Sequence, residues 1–389
     1  MRKSELDRKD KIVIIGGTGR IGSSVASSLI YFIDTNLTHL DKESRIIIAG
    51  RNRIRGREIC EGLGKKTEFQ PVELNHYETI TEVIQDANLV IHTAGPFVGY
   101  APVVLRACIE KKVPYIDICD DIGYAHRAKK YHMNAVQAAI PAITTAGIFP
   151  GIDNIIAAEL IERGRGYKKI SPPANESVEF NTYVAGSGGA GPAVLASTFK
   201  IAAKSVRIYR NNTLKLKTSF TRRKRFPFPN PIGKKSLYYF DLPEVISIHE
   251  VYGVHNILSR FGTSPQILNK MNYLSGKLMK LKKFRDGAYL NKFVEWAMPY
   301  VRKVDEKVGS VVAVSVIVIG ADNIKREGVY IHLDTVKATG IGVTLLALEI
   351  LEGHVNSGVY YPEEAIAPQF RKELLKRISQ NSSLFSIDD

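Results

Sequence analysis

Cysteine is scarce. Cys60, Cys108 and Cys119 are the three found in 389 residues, an odd number at spacings that suit no metal site. That excludes a disulfide framework or a cysteine-bound zinc and points to a reducing compartment, the cytoplasm or an organelle stroma. Long apolar runs are missing too: the longest, residues 311–319, is about half of the ~20 residues that a membrane-spanning helix needs. The first ten residues carry alternating charges without an apolar core, so no signal peptide is expected. There is no repeat with a period of about 20 to 50 residues and no low-complexity tract. His249 and His255 lack a regularly spaced third ligand, so no metal is expected. No nucleophile elbow supports Ser-His-Asp catalysis.

What is present describes a globular chain of about two domains, 44% apolar, able to bury sizeable cores. The net charge of +15 is concentrated: residues 200–307 hold 23 Lys and Arg against 7 Asp and Glu, a local +16 that leaves the rest at −1. Charge alone does not make a nucleic-acid binder, and no nucleic acid is expected. Residues 221–231 (TRRKRFPFPNP), inside the basic window, read as a surface loop.

The chain is organised around residues 12–29, IVIIGGTGRIGSSVASSL. Ile12, Val13, Ile14 and Ile15 form a continuous β-branched run, which suits a parallel strand covered on both faces. Gly16, Gly17, Gly19 and Gly22 interrupt it, with Thr18, Arg20 and Ile21 between them. The glycines satisfy GxxGxxG from Gly16 and GxGxxG from Gly17. In either phase backbone amides can approach a pyrophosphate, and a helix from about Arg20 turns its positive end toward that anion. A plain strand-to-helix turn would show the same glycines, so the following residues decide. The next apolar run, residues 45–49, continues into Gly50, Arg51, Asn52 and Arg53, where users of NAD commonly place an acid for the ribose hydroxyls. A guanidinium there can grip a 2′-phosphate, which points to NADP.

Strands over 68–72, 88–93, 115–118 and 142–145 alternate with helices over 53–62, 77–85 and 101–110, the rhythm of a doubly wound sheet. The loop Ala94, Gly95, Pro96, Phe97 follows the fourth strand, where ligands of such sheets lie. The fold class expected is α/β: a Rossmann-type parallel sheet over residues 1–165, then an α+β second domain over 166–336. Strands over 178–184, 308–319 and 328–334 give that domain an antiparallel sheet. Residues 337–389 are expected as C-terminal helices that return to the first domain.

Several separated motifs carry a family resemblance: GGTGRIG, AGRN at Ala49 to Asn52, HTAGPFVGY at His92 to Tyr100, YIDICDD at Tyr115 to Asp121, GIFPGIDN at Gly147 to Asn154, SGGAGPA at Ser187 to Ala193, DLPEV at Asp241 to Val245 and RFGTSP at Arg260 to Pro265. With them the chain resembles the saccharopine dehydrogenase family of NADP-dependent reductases, in its saccharopine dehydrogenase-like branch. The resemblance implies NADP as cofactor and a C-terminal segment that rejoins the nucleotide domain. Amino-acid-handling members resemble one another in an Asp just before the Pro-Gly of the GIFPGIDN loop, where this sequence has Phe149. Without that acid, saccharopine itself is not the expected substrate. Members that act on lipid-linked enoyl groups keep reduction of an apolar C=C bond in view.

A second GxGxxG, Gly186 to Gly191, precedes a helix from Pro192. Because the first loop accounts for one pyrophosphate, Gly186, Ser187, Gly188 and Gly189 are assigned to the substrate, whose carboxylate or phosphate their amides could cradle; a tight turn is the alternative. Tyr273 and Lys277 have the spacing of a short-chain dehydrogenase pair but sit among many lysines, about 250 residues after the loop, and read as chance. Asp120 and Asp121 could bind substrate or polarise a proton donor, and capping the next helix is the favoured role. No catalytic residue is named. The sequence thus reads as an NADPH-dependent oxidoreductase that transfers hydride to an imine, ketone or activated alkene of a small-molecule substrate. The alternative is a non-enzymatic or membrane-peripheral NADPH-binding protein. A homodimer is left open.

Leu268, Met271, Leu274, Leu278 and Leu281 draw one apolar helical stripe, accompanied by Lys270, Lys277, Lys280 and Lys283. A helix that covers a core with its basic face in water is the first expectation. The sharper one, with Arg222 to Arg225 beside it, is weak contact with an anionic membrane surface, to which each basic residue contributes about 1 kcal/mol.

Overall fold

Four β-branched residues in a row have no polar face to turn to water, and Ile12, Val13, Ile14 and Ile15 are buried on both sides of a sheet. The structure is a computed structural model that describes residues 10–38, 40–189, 191–279 and 287–388. The chain begins β1 (Lys11–Ile15), α1 (Arg20–Asp34), β2 (Arg45–Gly50), α2 (Arg53–Leu63), β3 (Thr67–Pro71), α3 (Tyr77–Ile84) and β4 (Leu89–His92). It goes on with α4 (Val103–Lys111), β5 (Tyr115–Asp117), α5 (Ile122–Lys129), α6 (His132–Gln137), β6 (Pro141–Ile143) and α7 (Ile152–Gly164). The middle of the chain is β7 (Ser177–Ala185), α8 (Pro192–Ala203), β8 (Ser205–Arg210), β9 (Thr213–Thr218), β10 (Lys224–Pro227), β11 (Lys234–Tyr239), α9 (Glu244–Tyr252) and β12 (Asn256–Ser264). Then come α10 (Gln266–Leu278), α11 (Gly287–Val308), β13 (Val312–Ile319), β14 (Lys325–His332) and α12 (Thr335–Leu351). The last elements are β15 (Gly358–Tyr360), α13 (Pro362–Ala365), α14 (Pro368–Gln380) and β16 (Leu384–Ile387).

The first sheet is parallel throughout, in the order β15-β6-β5-β4-β1-β2-β3. Reversal of strand order between β1 and β4 opens a crevice at their carboxyl ends, the place where such sheets bind ligands. Ile12 and Ile14 face a core shared with α1, α7 and α12, while Val13 and Ile15 face a second core under α3, α4 and α5. Small residues let α12 lie tightly on α1: a Cβ at Gly340 would come within 2.3 Å of Ser24 Oγ, and that hydroxyl donates to the Val336 carbonyl at 3.1 Å.

The second sheet runs β10-β11-β12-β7-β13-β14-β16, with β8 pairing β12 and β9. Its pairs are antiparallel except β7 with β12, which are parallel along their length. Val308 ends α11 rather than starting a strand; Gly309, at φ +75°, breaks the helix, and β13 begins at Val312. The expected loop over 221–231 contains β10, because Phe226 and Phe228 are buried and pack edge to face at 4.8 Å. The C-terminal segment divides: α12 and β15 join the first sheet's layers, whereas β16 pairs with β14 in the second.

Where α7, α9 and α13 meet, Asp153, Glu244 and Glu363 are buried carboxyls at 0%, 0% and 1% exposure. Burial raises all three above the usual carboxylate range, Glu363 to about 7, and Asp153 is pushed further by the neighbouring Glu244. Glu363 ionises in the unfolded chain from about pH 4.5 but in the folded chain only near 7. Stability is therefore full below about 4.5, falls as pH rises to 7, and is level above. Glu363→Gln should remove one share of that slope, on the order of 1 to 3 kcal/mol. The melting temperature is expected to rise at pH 8 and stay unchanged at pH 4.5. An equal shift at both pH values would refute the titration of Glu363.

Candidate functional site

A cleft of 580 Å³ lies at the carboxyl end of the first sheet, with residues of β7, α8, β12 and α11 as its opposite wall. One side is the first glycine loop. Gly16 has φ +89°, and a Cβ there would meet the Ala94 backbone nitrogen at 2.6 Å; a Cβ at Gly22 would meet the Gly16 carbonyl at 2.4 Å. The Gly16 and Gly17 amides both donate to the Ala49 carbonyl, which holds the loop across the ends of β1 and β2. Gly19 is the N-cap of α1 and offers no side-chain cap, so the first-turn amides stay available to an anion. The cradle is one that any Cβ would fill, and it fits the pyrophosphate of a dinucleotide.

Of the residues singled out from the sequence for the cofactor, Thr18, Gly19, Arg20, Ile21, Gly22, Gly95, Pro96 and Phe97 line the cleft. Gly16, Gly17 and Ala94 shape it from beneath. Arg51 is exposed just beyond β2, and Asn52 caps α2 by accepting from the Arg55 amide at 3.0 Å; neither lines the cleft. Arg55, which the sequence reading passed over, does: its Nε donates to the Thr18 carbonyl at 3.0 Å. Its position in the first turn of α2, three residues after the cap, is the signal that could have found it.

The second glycine loop contributes Ser187, Gly188 and Gly189 to the far wall, and Gly186 stays outside the lining. Three of its amides, those of Gly186, Ser187 and Gly188, already have partners within the protein. Gly186 donates to the Ser264 carbonyl, Gly188 to the Ala185 carbonyl, and the Ser187 amide and hydroxyl both donate to the Asp305 carboxylate. Asp305 of α11 is already the anion at Ser187 in that turn, so at that residue the expected amide cradle is filled by the protein itself. Gly189 instead lies against Arg20, whose guanidinium nitrogen is 3.0 Å from where a Cβ would stand.

The remaining wall is apolar. Phe149 occupies the position read as lacking an acid, with its ring 6.2 Å from that of Phe261, which packs at 5.1 Å on Phe240. Ile201, Leu242 and Met298 continue this surface. Against it stands Asp120, the single carboxylate among the described lining residues. Ser197 Oγ donates to Asp120 Oδ2 at 2.7 Å. Burial raises the Asp120 carboxyl, and the Asp121 charge adds to this while Ser197 and Lys204 oppose it. The two neighbouring acids have parted: Asp121 caps α5 through the Tyr124 amide at 2.9 Å and pairs with Lys204 Nζ, whereas Asp120 faces the cleft.

Beneath Phe97 lies a buried polar network. His92 Nδ1 is 3.0 Å from the Tyr115 hydroxyl, which donates to Asp117 Oδ2 at 2.9 Å and lies 3.2 Å from the Tyr124 hydroxyl. Burial lowers His92 to about 3, so it is neutral, and raises Asp117 to about 6. Asp117 also accepts from the Thr145 amide and the Thr144 hydroxyl, joining the ends of β5 and β6. Tyr273 and Lys277 lie on α10, outside the cleft lining. Among the described residues, Glu349, Glu352 and His354 lie close enough together to hold a metal ion. Arg377 Nη1 already sits 2.9 Å from Glu352 and 3.6 Å from Glu349.

Residues 12–148 match the family described as saccharopine dehydrogenase NADP binding domain, and the resemblance read from the sequence stands. Over 148 residues the chain is 24% identical to a trans-acting enoyl reductase of Mycobacterium ulcerans, covering 37% of this chain and 34% of that protein. It is 25% identical over 152 residues to a saccharopine dehydrogenase-like oxidoreductase of Rattus norvegicus, covering 36% and 34%. The matched stretch spans about a third of the length of these curated relatives. Apo saccharopine dehydrogenase (L-Glu forming) from Saccharomyces cerevisiae superposes with a TM-score of 0.64 over 98% of this chain and 100% of that one. At 11% identity that likeness shows the fold. Among the described residues no helix is long and apolar enough to cross a membrane.

Proposed function

We propose, on the premise that residues 12–148 are a saccharopine dehydrogenase NADP-binding domain, that the whole chain is an NADPH-dependent oxidoreductase reducing an activated alkene in a largely apolar substrate. The observation that carries this reading is the wall of Phe149, Phe240 and Phe261 facing one carboxyl, Asp120. Phe149 stands where amino-acid-handling members of the resembled family share an acid, and one relative that matches over the first part of the chain is named a trans-acting enoyl reductase. When bound, NADPH supplies a hydride, two electrons to one carbon of the substrate. The chain's own residues do the rest. The glycine loop and Arg55 hold the pyrophosphate, the phenyl rings exclude water and orient the substrate, and Asp120 holds the balancing proton. Its Oδ2 is occupied as acceptor of the Ser197 hydroxyl, which leaves Oδ1 to carry that proton, and burial keeps it there to higher pH.

The test is NADPH consumption by the full chain with apolar α,β-unsaturated thioesters or ketones, set beside amino-acid-derived imines and saccharopine. Turnover of the unsaturated compounds is expected. Preference for the imines would overturn the substrate class, and tight NADPH binding without any turnover would favour a protein that keeps the nucleotide as a structural or sensing ligand.

Arg51, exposed beyond β2, serves the 2′-phosphate in this reading. Arg51→Ala should remove most of the preference for NADPH over NADH, a loss on the order of 1.5 to 3 kcal/mol. Equal dissociation constants for the two nucleotides in the unmutated protein would contradict it.

A further inference from the structure

The fully buried residues of α10 are small and polar, and Tyr273 packs half-buried on Ile201, Ala202 and Phe220 beside them. Asn269, Ser275 and Gly276 are buried, and Gly276 packs so closely on α8 that a Cβ there would stand 2.4 Å from the Ala202 carbonyl. Large side chains do not fit that contact, and they lie on the other side. Ile267, Met271, Leu274 and Leu278, at spacings of 4, 3 and 4, are exposed, Leu274 by 57%. The stripe expected to cover a core therefore faces water, with Leu268 half-buried. Leu281, Lys280 and Lys283 lie outside the described residues.

Helix α11 repeats the pattern with aromatics. Tyr289, Trp296 and Tyr300 are exposed, Trp296 by 59%. Together with Phe293 they follow spacings of 4, 3 and 4, and the Trp296 ring lies 5.8 Å from Phe293 and 5.3 Å from Tyr300. Both helices pack on α8, and α8 and α11 supply Ser197, Ile201, Met298 and Arg302 to the cleft wall. Soluble proteins rarely leave so much apolar surface on two helices without a partner for it.

The chemistry of that partner follows from charge and side-chain type. Lys270 and Lys277 accompany the stripe on a helix without an acid, inside the window of net +16. A second copy of the chain would bring like charge against like charge, whereas an anionic surface is attracted. Indole and phenol rings settle where apolar and wet layers meet, and an apolar stripe flanked by lysines lies in that same plane. We propose that α10 and α11 dock this protein on the surface of an anionic lipid bilayer. The apolar stripe and Trp296 enter the headgroup boundary, and the lysines meet lipid phosphates. The docking goes beyond the reading of the cleft and does not depend on it.

Trp296 is the one tryptophan of the chain, so intrinsic emission reports on this face directly. The full chain is mixed with vesicles of phosphatidylcholine, with or without about a third of phosphatidylserine, at low and high salt. Co-sedimentation and a blue shift of Trp296 emission are expected only with the anionic vesicles and are lost at high salt. The double variant Met271→Glu/Leu274→Glu, at two exposed positions, should weaken binding by about tenfold or more while its NADPH dissociation constant and melting temperature stay unchanged. The proposal is overturned by no sedimentation at low salt, by equal binding to neutral vesicles, or by a double variant that binds as well as the unmutated chain. A dimer in sedimentation equilibrium that the double variant dissociates, with no lipid binding, would assign the face to a second copy instead. Loss of NADPH turnover with vesicle binding intact would count against the oxidoreductase reading alone.

Discussion

Gly22→Val is expected to raise the NADPH dissociation constant about 100-fold or more, near 3 kcal/mol. A Cβ at Gly22 would stand 2.4 Å from the Gly16 carbonyl and 2.7 Å from the Gly17 Cα, and these are backbone atoms that no rotamer change can move aside. Gly16 cannot retreat, since a Cβ on it would already meet the Ala94 nitrogen and its amide is committed to the Ala49 carbonyl. The first turn of α1 must then tilt away from the loop, and the amides that converge on the pyrophosphate lose their common focus. The rest of the first sheet does not depend on that turn, so the variant should keep its far-UV circular dichroism and a cooperative melt. Titration of NADPH fluorescence is the measurement. A folded variant that binds within about threefold of the unmutated protein would show that the nucleotide sits elsewhere.

Asp120→Asn should lower kcat by about 100-fold to 10,000-fold, the range for a positioned general acid, with NADPH affinity unchanged because the carboxyl bonds Ser197 rather than the glycine loop. The sign of the pH dependence is set by the raised pKa. The protonated form donates, so the unmutated enzyme should be fast below that pKa and slow as pH rises through it. The Asn variant should lose that limb and run level. Asp120→Glu should restore part of the rate, and Ser197→Ala, which removes one bond to the carboxylate, should shift the limb toward higher pH. A kcat of unmutated size in Asp120→Asn would leave solvent as the proton source and Asp120 as a mere wall residue.

These two variants stand on different kinds of legibility. Gly22 was readable because a glycine loop is local: strand, turn and helix follow one another within about fifteen residues, and the β-branched run announces the buried strand before it. The loop after β4, which lines the cleft, was readable for the same reason, since it sits at a fixed place in a repeating strand–helix unit. Asp120 was not. It and Asp121 are adjacent acids before a helix, and either could cap it; only the arrival of Ser197 and Lys204, 77 and 83 residues later, sends one to the cleft and the other to the cap.

The second glycine loop shows where a motif misleads. Gly186 to Gly189 have the spacing of an anion cradle, and an anion does sit in that turn, but it is Asp305 from a helix more than 100 residues away. The stripe on α10 misleads in the opposite direction. Its period marks an amphipathic helix, yet period states only that one side is apolar, and the side that meets α8 was decided by how closely Gly276 and Ser275 let two backbones approach.

The parallel sheet, its nucleotide loop and the resemblance to saccharopine dehydrogenases were legible in the residues alone, because each announces itself in short local patterns of β-branched runs, glycine spacings and motifs. Contacts between distant residues decided which acid faces the cleft, that Asp305 fills the second loop at Ser187, that β16 crosses to the second sheet, and which side of α10 meets water. All of these are choices between partners distant along the chain, and the choice turns on close packing and on satisfying buried charges, neither of which one local stretch contains.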